Sequence, residues 1–164
     1  MIHYNVYMWN IVLLHNLLKD MKLIKYNDGI VSFKLPANWK EEYYDDGNAA
    51  FYREDSDSGT LRLSVVSTEL KEEYNESVKL SSDSGMYVEE GFPLEEDVKL
   101  VSESGDDILV YSWEVIVPVG SKGRRIILFS YTIPAFKEGE PETSLELNFI
   151  RNTILEASYS KEGN

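Results

Sequence analysis

The sequence predicts an α+β domain, an antiparallel β-sheet flanked by helices in an α/β sandwich. Three observations carry that expectation. Short runs with a period of two recur along the chain, separated by clusters of Gly, Asp, Asn and Ser. The last apolar segment changes to steps of three and four residues, the period of a helix. The 164 residues, 43% of them apolar and 27% charged, suffice for one domain with its own core.

Leu23-Ile24-Lys25-Tyr26 is a short strand, and Asn27-Asp28-Gly29 is a hairpin turn. Val31, Phe33 and Leu35 alternate with Ser32 and Lys34, so the next strand is half-buried. Pro36 ends it because proline has no ladder donor. Ala37-Asn38-Trp39 reads as a turn with one large anchor. A strand over Ala49–Arg53 follows, then a turn at residues 55–59, then a strand over Thr60–Ser67 with Leu61, Leu63 and Val65 on one face. Residues 68–97 are polar. Glu76–Glu89 suits a helix with sparse apolar positions, although Gly85 interrupts it. Val98–Ser102 is a strand, Ser104-Gly105-Asp106-Asp107 its turn, and Ile108–Val117 the strongest strand signal. Arg124–Ile133 returns antiparallel to it, both runs being rich in β-branched and aromatic residues. The last element is a helix in which Pro141 fits the first turn, or alternatively Thr143 and Glu146 form a capping box. Leu147, Ile150, Ile154 and Ala157 make its apolar stripe, and the polar tail, residues 159–164, is expected to fray.

Residues 1–20 form an apolar extension unlike the rest. Its run from Val6 to Leu18 is broken by Asn10, His15 and Asn16 and falls short of the ~20 residues of a membrane span. It lacks the basic start and small-residue cleavage site of a secretory signal. Three readings stay open: a helix packing on the domain or a partner, an interfacial anchor, or an upstream start with Met21-Lys22 as the biological beginning. A cytoplasmic location follows as the expectation, with the stable unit over residues 22–158.

The formal net charge is −13, from 16 Lys+Arg against 29 Asp+Glu. That disfavours nucleic acid, whose capture rests on phosphate neutralisation, and anionic membranes. A basic partner is permitted. The chain has no cysteine, and its two histidines, His3 and His15, both stand in the N-terminal extension. A domain beginning at Met21 therefore lacks the nucleophile–histidine systems of hydrolases. No metal and no cofactor is expected. Asp55-x-Asp57-x-Gly59 imitates part of a calcium loop, but the twelfth position counted from Asp55 is Val66. Adjacent carboxylates are what so many acids produce by chance. Gly120-Ser121-Lys122-Gly123-Arg124-Arg125 is basic, lacks the spacing of a phosphate loop, and reads as a solvated hairpin end.

One order of marks runs through residues 22–158. A strand ends in Leu35-Pro36-x-x-Trp39. Phe51-Tyr52 precedes the Gly59-x-Leu61-Arg62-Leu63 strand. Tyr111-x-Trp113 and Phe129–Pro134 strands follow, and then a helix with Glu146-Leu147, Ile150 and Ile154-Leu155. This resembles a bacterial domain of unknown function in the PsbP-like superfamily. The resemblance implies an antiparallel sheet flanked by helices and a protein-binding role. None of the functional motifs of that superfamily's members is visible, so fold and binding type are all that it implies.

Two groups are the candidate interaction residues. Asp45, Asp46, Glu54 and Asp55 flank one strand as an acidic edge. Tyr111 and Trp113 fall on one strand face, where Tyr and Trp suit an interface. The expected function is a non-catalytic interaction module with a protein partner, basic in character. The alternative is a carrier of a small or lipid-type ligand on an aromatic-lined sheet face.

Overall fold

The computed structural model describes residues 20–54, 58–69 and 85–162. Strand alternation sorts the apolar residues onto one face of each of two sheets. The smaller sheet has the order β1 (Met21–Tyr26), β2 (Val31–Pro36) and β10 (Ser158–Tyr159). The larger runs β3-β4-β5-β9-β8-β7-β6: β3 is Lys40–Tyr43, β4 Ala49–Tyr52, β5 Thr60–Glu69, β6 Met86–Tyr87, β7 Pro93–Glu103, β8 Asp106–Val119 and β9 Gly123–Pro134. All neighbours are antiparallel. Among the described residues there is one α-helix, α1 (Pro141–Leu155). The molecule is an α+β domain built mostly of antiparallel strands.

The sheets meet through rings. Phe33 of β2 stands edge-on to Phe51 of β4 at 5.4 Å and to Phe129 of β9 at 5.5 Å. Leu35, Trp39, Leu61, Leu63, Trp113 and Ile127 complete the buried interior. The helix lies beside β2, where the Thr153 hydroxyl donates to the Lys34 carbonyl at 3.4 Å. Its buried Ile150 and Ile154 join the same core. The small sheet and α1 thus share one layer against the inner face of the large sheet.

Turn chemistry sets the register. Asn27, Asp28 and Gly29 all have positive φ and turn β1 into β2, as their sequence predicts. Ser104 and Gly105 do the same between β7 and β8, pairing Glu103 with Asp106.

Several sequence expectations change. Met86–Tyr87, assigned to a helix over Glu76–Glu89, are strand β6 against Leu94 and Pro93. Gly85 at φ 62° stands outside helical geometry just before them, and residues 76–84 lie outside the described residues. The turn at Ala37–Trp39 leads at once into β3. Among the described residues the flank is one helix together with a second sheet. The tail does not fray at residue 159: Ser158 pairs with Ser32, Tyr159 with Val31, and the Tyr159 ring is only 3% exposed. Its hydroxyl donates to the Ile154 carbonyl at 2.6 Å. The single aromatic in a polar tail supplies enough buried area to anchor it. The apolar extension, apart from Asp20, lies outside the described residues.

Tyr159→Ala empties a ring-sized space in this core. We expect a loss of about 3 kcal/mol of unfolding free energy in urea titrations, and an unaltered melt would mean that β10 contributes nothing.

Candidate functional site

β3 is the edge strand of the large sheet, and all four of its residues are exposed. Its Lys40-Glu41-Glu42-Tyr43 sequence has no buried residue. Edge strands protect themselves from random pairing with charge. Alternation sends Glu41 and Tyr43 to one side and Glu42 and Tyr44 to the other. On the first side the Tyr43 hydroxyl donates to Glu41 at 2.6 Å, Lys22 of β1 reaches the same carboxylate at 2.6 Å, and the Tyr43 ring meets Phe51 edge-on. On the second, Glu42 accepts from Tyr52 at 2.6 Å and from Tyr44 at 2.8 Å.

These bonds hold the carboxylates ionised. Hydrogen bonds from Tyr52 and then Tyr44 pull Glu42 below its ordinary value. Partial burial works against the charge on Glu41, and the bonds from Lys22 and Tyr43 outweigh it, so that group also lies low. The tyrosines move the other way: burial and the Glu41 hydrogen bond push Tyr43 up, and the bond to Glu42 raises Tyr44. The rings themselves stay open to solvent, Tyr43 at 55% and Tyr44 at 48%. Beyond Tyr44 the outer sheet face is a shallow groove of about 400 Å³ between Asp46, Arg62, Leu128 and Ser130.

The predicted interaction residues divide. Asp45 and Asp46 are exposed in the turn after Tyr44, where Asp46 accepts from the Asn48 backbone at 3.0 Å and its side-chain amide at 2.7 Å. Glu54 sits at the far end of β4, 3.2 Å from Lys40. The acidic edge is therefore spread along a strand rather than gathered, and Asp55 lies outside the described residues. Tyr111 and Trp113 do share a face, stacked at 6.5 Å with 17° between planes. Trp113 is 1% exposed and donates its indole N–H to Glu96 at 2.8 Å, so it serves the core while Tyr111 stays half-buried. Sequence reading missed Glu41, Glu42 and Tyr43, which form the edge itself.

A second polar constellation joins α1 to the large sheet. Glu146 is 3% exposed, accepts from the Tyr131 hydroxyl and pairs with Arg53 at 3.1 Å. Arg53 also reaches Glu142 at 3.2 Å, and Gly59 donates its backbone N–H to the Tyr131 oxygen at 3.2 Å. A Cβ on Gly59 would stand 2.5 Å from the Thr132 carbonyl oxygen, so only glycine lets β5 start this close to β9. The cavity they border holds about 190 Å³. Burial pushes the Glu146 carboxyl above its ordinary value, against the Tyr131 bond and the Arg53 charge, which pull it down.

A carboxyl whose folded pKa is raised favours the fold most below its unfolded value, and that contribution is lost as pH rises through the folded one. Glu146→Gln has no such titration. Urea titrations from pH 4 to 8 should therefore show wild-type stability falling relative to Glu146→Gln as pH rises. A flat or rising difference would contradict the assignment.

No protein-family model matches the chain, and no curated protein sequence matches it. Among solved structures, one from Bacteroides thetaiotaomicron VPI-5482 aligns with a TM-score of 0.56 and 21% identity over 87% of this chain and 50% of that one. This chain therefore spans about half the length of that protein, and the likeness is one of fold. LpqN, involved in cell envelope biogenesis of Mycobacterium tuberculosis, aligns with a TM-score of 0.46 and 8% identity over 85% of this chain and 90% of LpqN. Among the described residues no helix is long and apolar enough to cross a membrane.

Proposed function

We propose that this chain is a non-catalytic protein-interaction module that takes a basic, extended segment along its β3 edge. The observation that carries the reading is the pair Glu41 and Glu42 on an exposed edge strand, kept charged by tyrosine hydroxyls. An edge strand offers main-chain pairing to an incoming strand, and alternate side chains select its sequence. Tyrosine adds a large contact with little rotamer entropy to lose. The −13 charge speeds encounter with a cationic partner. The ring-filled interior around Phe33 supports this reading over that of a lipid-type carrier, which needs an enclosed apolar space. We also read the two-layer arrangement as a PsbP-like sandwich. Its support is the order of sequence marks together with the helix and small sheet lying against one face of the large sheet.

The test is a titration of the full chain, labelled for nuclear magnetic resonance, with a Lys/Arg-rich peptide able to form a strand. Shifts should concentrate on residues 40–52. Changing Glu41, Glu42, Asp45 and Glu54 together to Gln or Asn should weaken binding about tenfold, ~1.4 kcal/mol. Moderate salt should act in the same direction, and the melt should move little because exposed charges add little stability. Shifts centred on Tyr111, or binding indifferent to salt and to the substitutions, would overturn the proposal.

A further inference from the structure

The basic hairpin end read from the sequence as merely solvated has a different setting in the fold. Lys122 lies in the β8–β9 turn, and Arg124 and Arg125 follow Gly123 at the start of β9. The three are graded in depth: Lys122 is exposed, Arg124 half-buried, and Arg125 3% exposed. Together with Ser67, Thr68 and Asn27 they line a cavity of about 630 Å³. Its one lining carboxylate among the described residues is Glu69.

None of the three cations belongs to an ion pair among the described residues; what sets Arg125 apart is that it is also buried, at 3% exposed. Arg124 spends only its Nε, on the Thr68 hydroxyl at 3.3 Å. Arg125 donates to the carbonyls of Ser160 at 2.7 Å and Glu162 at 3.1 Å. Its Nε is buried without an acceptor. Burial alone pulls this guanidinium below its ordinary value. A buried cation is costly unless a counter-charge answers it. Here only carbonyl dipoles do so, in a chain that has 29 acids to choose from.

We propose that this cavity binds the phosphate group of a small organic molecule. Among the described lining residues, cations outnumber carboxylates three to one, an excess of positive charge that suits a phosphate group. Arginine presents forked donors that fit phosphate oxygens, and lysine adds a point charge. The Ser67 and Thr68 hydroxyls and the Asn27 amide supply neutral donors for further oxygens. The volume exceeds what phosphate alone fills and lies within the range of small-molecule sites. Ile30 and Val119 give the remainder an apolar wall. A long polyanion would meet the −13 field of the whole chain, whereas a small dianion meets chiefly the local charge within a screening length. The site rests on β5, β9 and the two hairpin turns, and its argument is independent of the β3 edge.

The probe is inorganic pyrophosphate, titrated into the full chain at constant ionic strength set with chloride. Saturable shifts should appear in residues 67–69 and 122–125, and the melting temperature should rise with ligand. Lys122→Gln with Arg124→Gln should weaken binding at least about tenfold while leaving the melt without ligand unchanged. Arg125 is kept, because its loss would free the tail that it clamps. Phosphatidylcholine vesicles with and without phosphatidic acid form the second arm. Sedimentation with phosphatidic acid, competed by pyrophosphate and lost in the double variant, assigns the phosphate to a lipid headgroup. Pyrophosphate binding without sedimentation assigns it to a soluble molecule. No saturable effect in either arm, or equal binding by the double variant, overturns the proposal.

Discussion

The edge-on contact of Phe33 with Phe51 and Phe129 sets the distance between the two sheets, and the rest of the molecule is arranged around it. Face-to-face sheets pack ~10 Å apart with side chains interleaved. Rings packed nearly at right angles fill that gap, and in each such pair the positive rim of one ring meets the negative face of the other. Once β2 is held there, β1 and β10 follow by pairing on either side of it, and α1 is placed beside it by Thr153 and Ile154. The surface features inherit that placement. Lys22 meets Glu41 because β1 begins beside β3, and Asn27 borders the basic cavity because the β1–β2 turn lies near the β8–β9 hairpin.

Charge is unevenly answered across this frame. At the β3 edge and around Glu146, carboxylates are matched by hydroxyls, Lys22 or Arg53, so each has a stated partner. Glu96 shows the economy of the arrangement: one oxygen accepts both the Trp113 indole and the Arg151 guanidinium, each at 2.8 Å, tying β7, β8 and α1 together. The cations at the hairpin end have no such answer. Arg125 is the one cation buried to 3% exposure among the described residues, and it has carbonyl oxygens where the other sites have carboxylates.

Sequence periodicity made the centre of the fold legible. The β8–β9 hairpin and the α1 stripe were readable because their apolar residues repeat at two and at three to four positions, and burial follows those repeats at Val115, Ile127, Ile150 and Ile154. The margins were not readable. β3 is three charged residues and a tyrosine, whose strand geometry comes from pairing with Ala49–Tyr52. β10 offers one apolar residue, Tyr159, too few for any period. The acid doublets gave no face until the strands were assembled, so Glu41 and Glu42 could not be told from Asp45 and Asp46. Glu146 did leave a signal. It falls on the stripe of Ile150, Ile154 and Ala157, where a carboxylate ought to have a buried partner. The identity of that partner, Tyr131, belongs to tertiary structure alone.

The pairing of β10 with β2 also bears on the order of assembly. Hairpins such as β8–β9 close between neighbours, so their loops cost little entropy before contacts form. Ser158 and Tyr159 must return to Ser32 and Val31 across nearly the whole described chain. Closure over such a separation is slow and is rewarded only when a surface already exists to receive it. The small sheet therefore gains its third strand after the large sheet and α1 have formed. Until then Val31 lacks its β10 partner Tyr159, the Ile30 carbonyl lacks the Ser160 N–H, and Arg125 lacks the two carbonyls that hold its charge. Translation releases residues 158–159 after every other described strand, so the nascent domain passes through an interval with the β2 edge open to other strands.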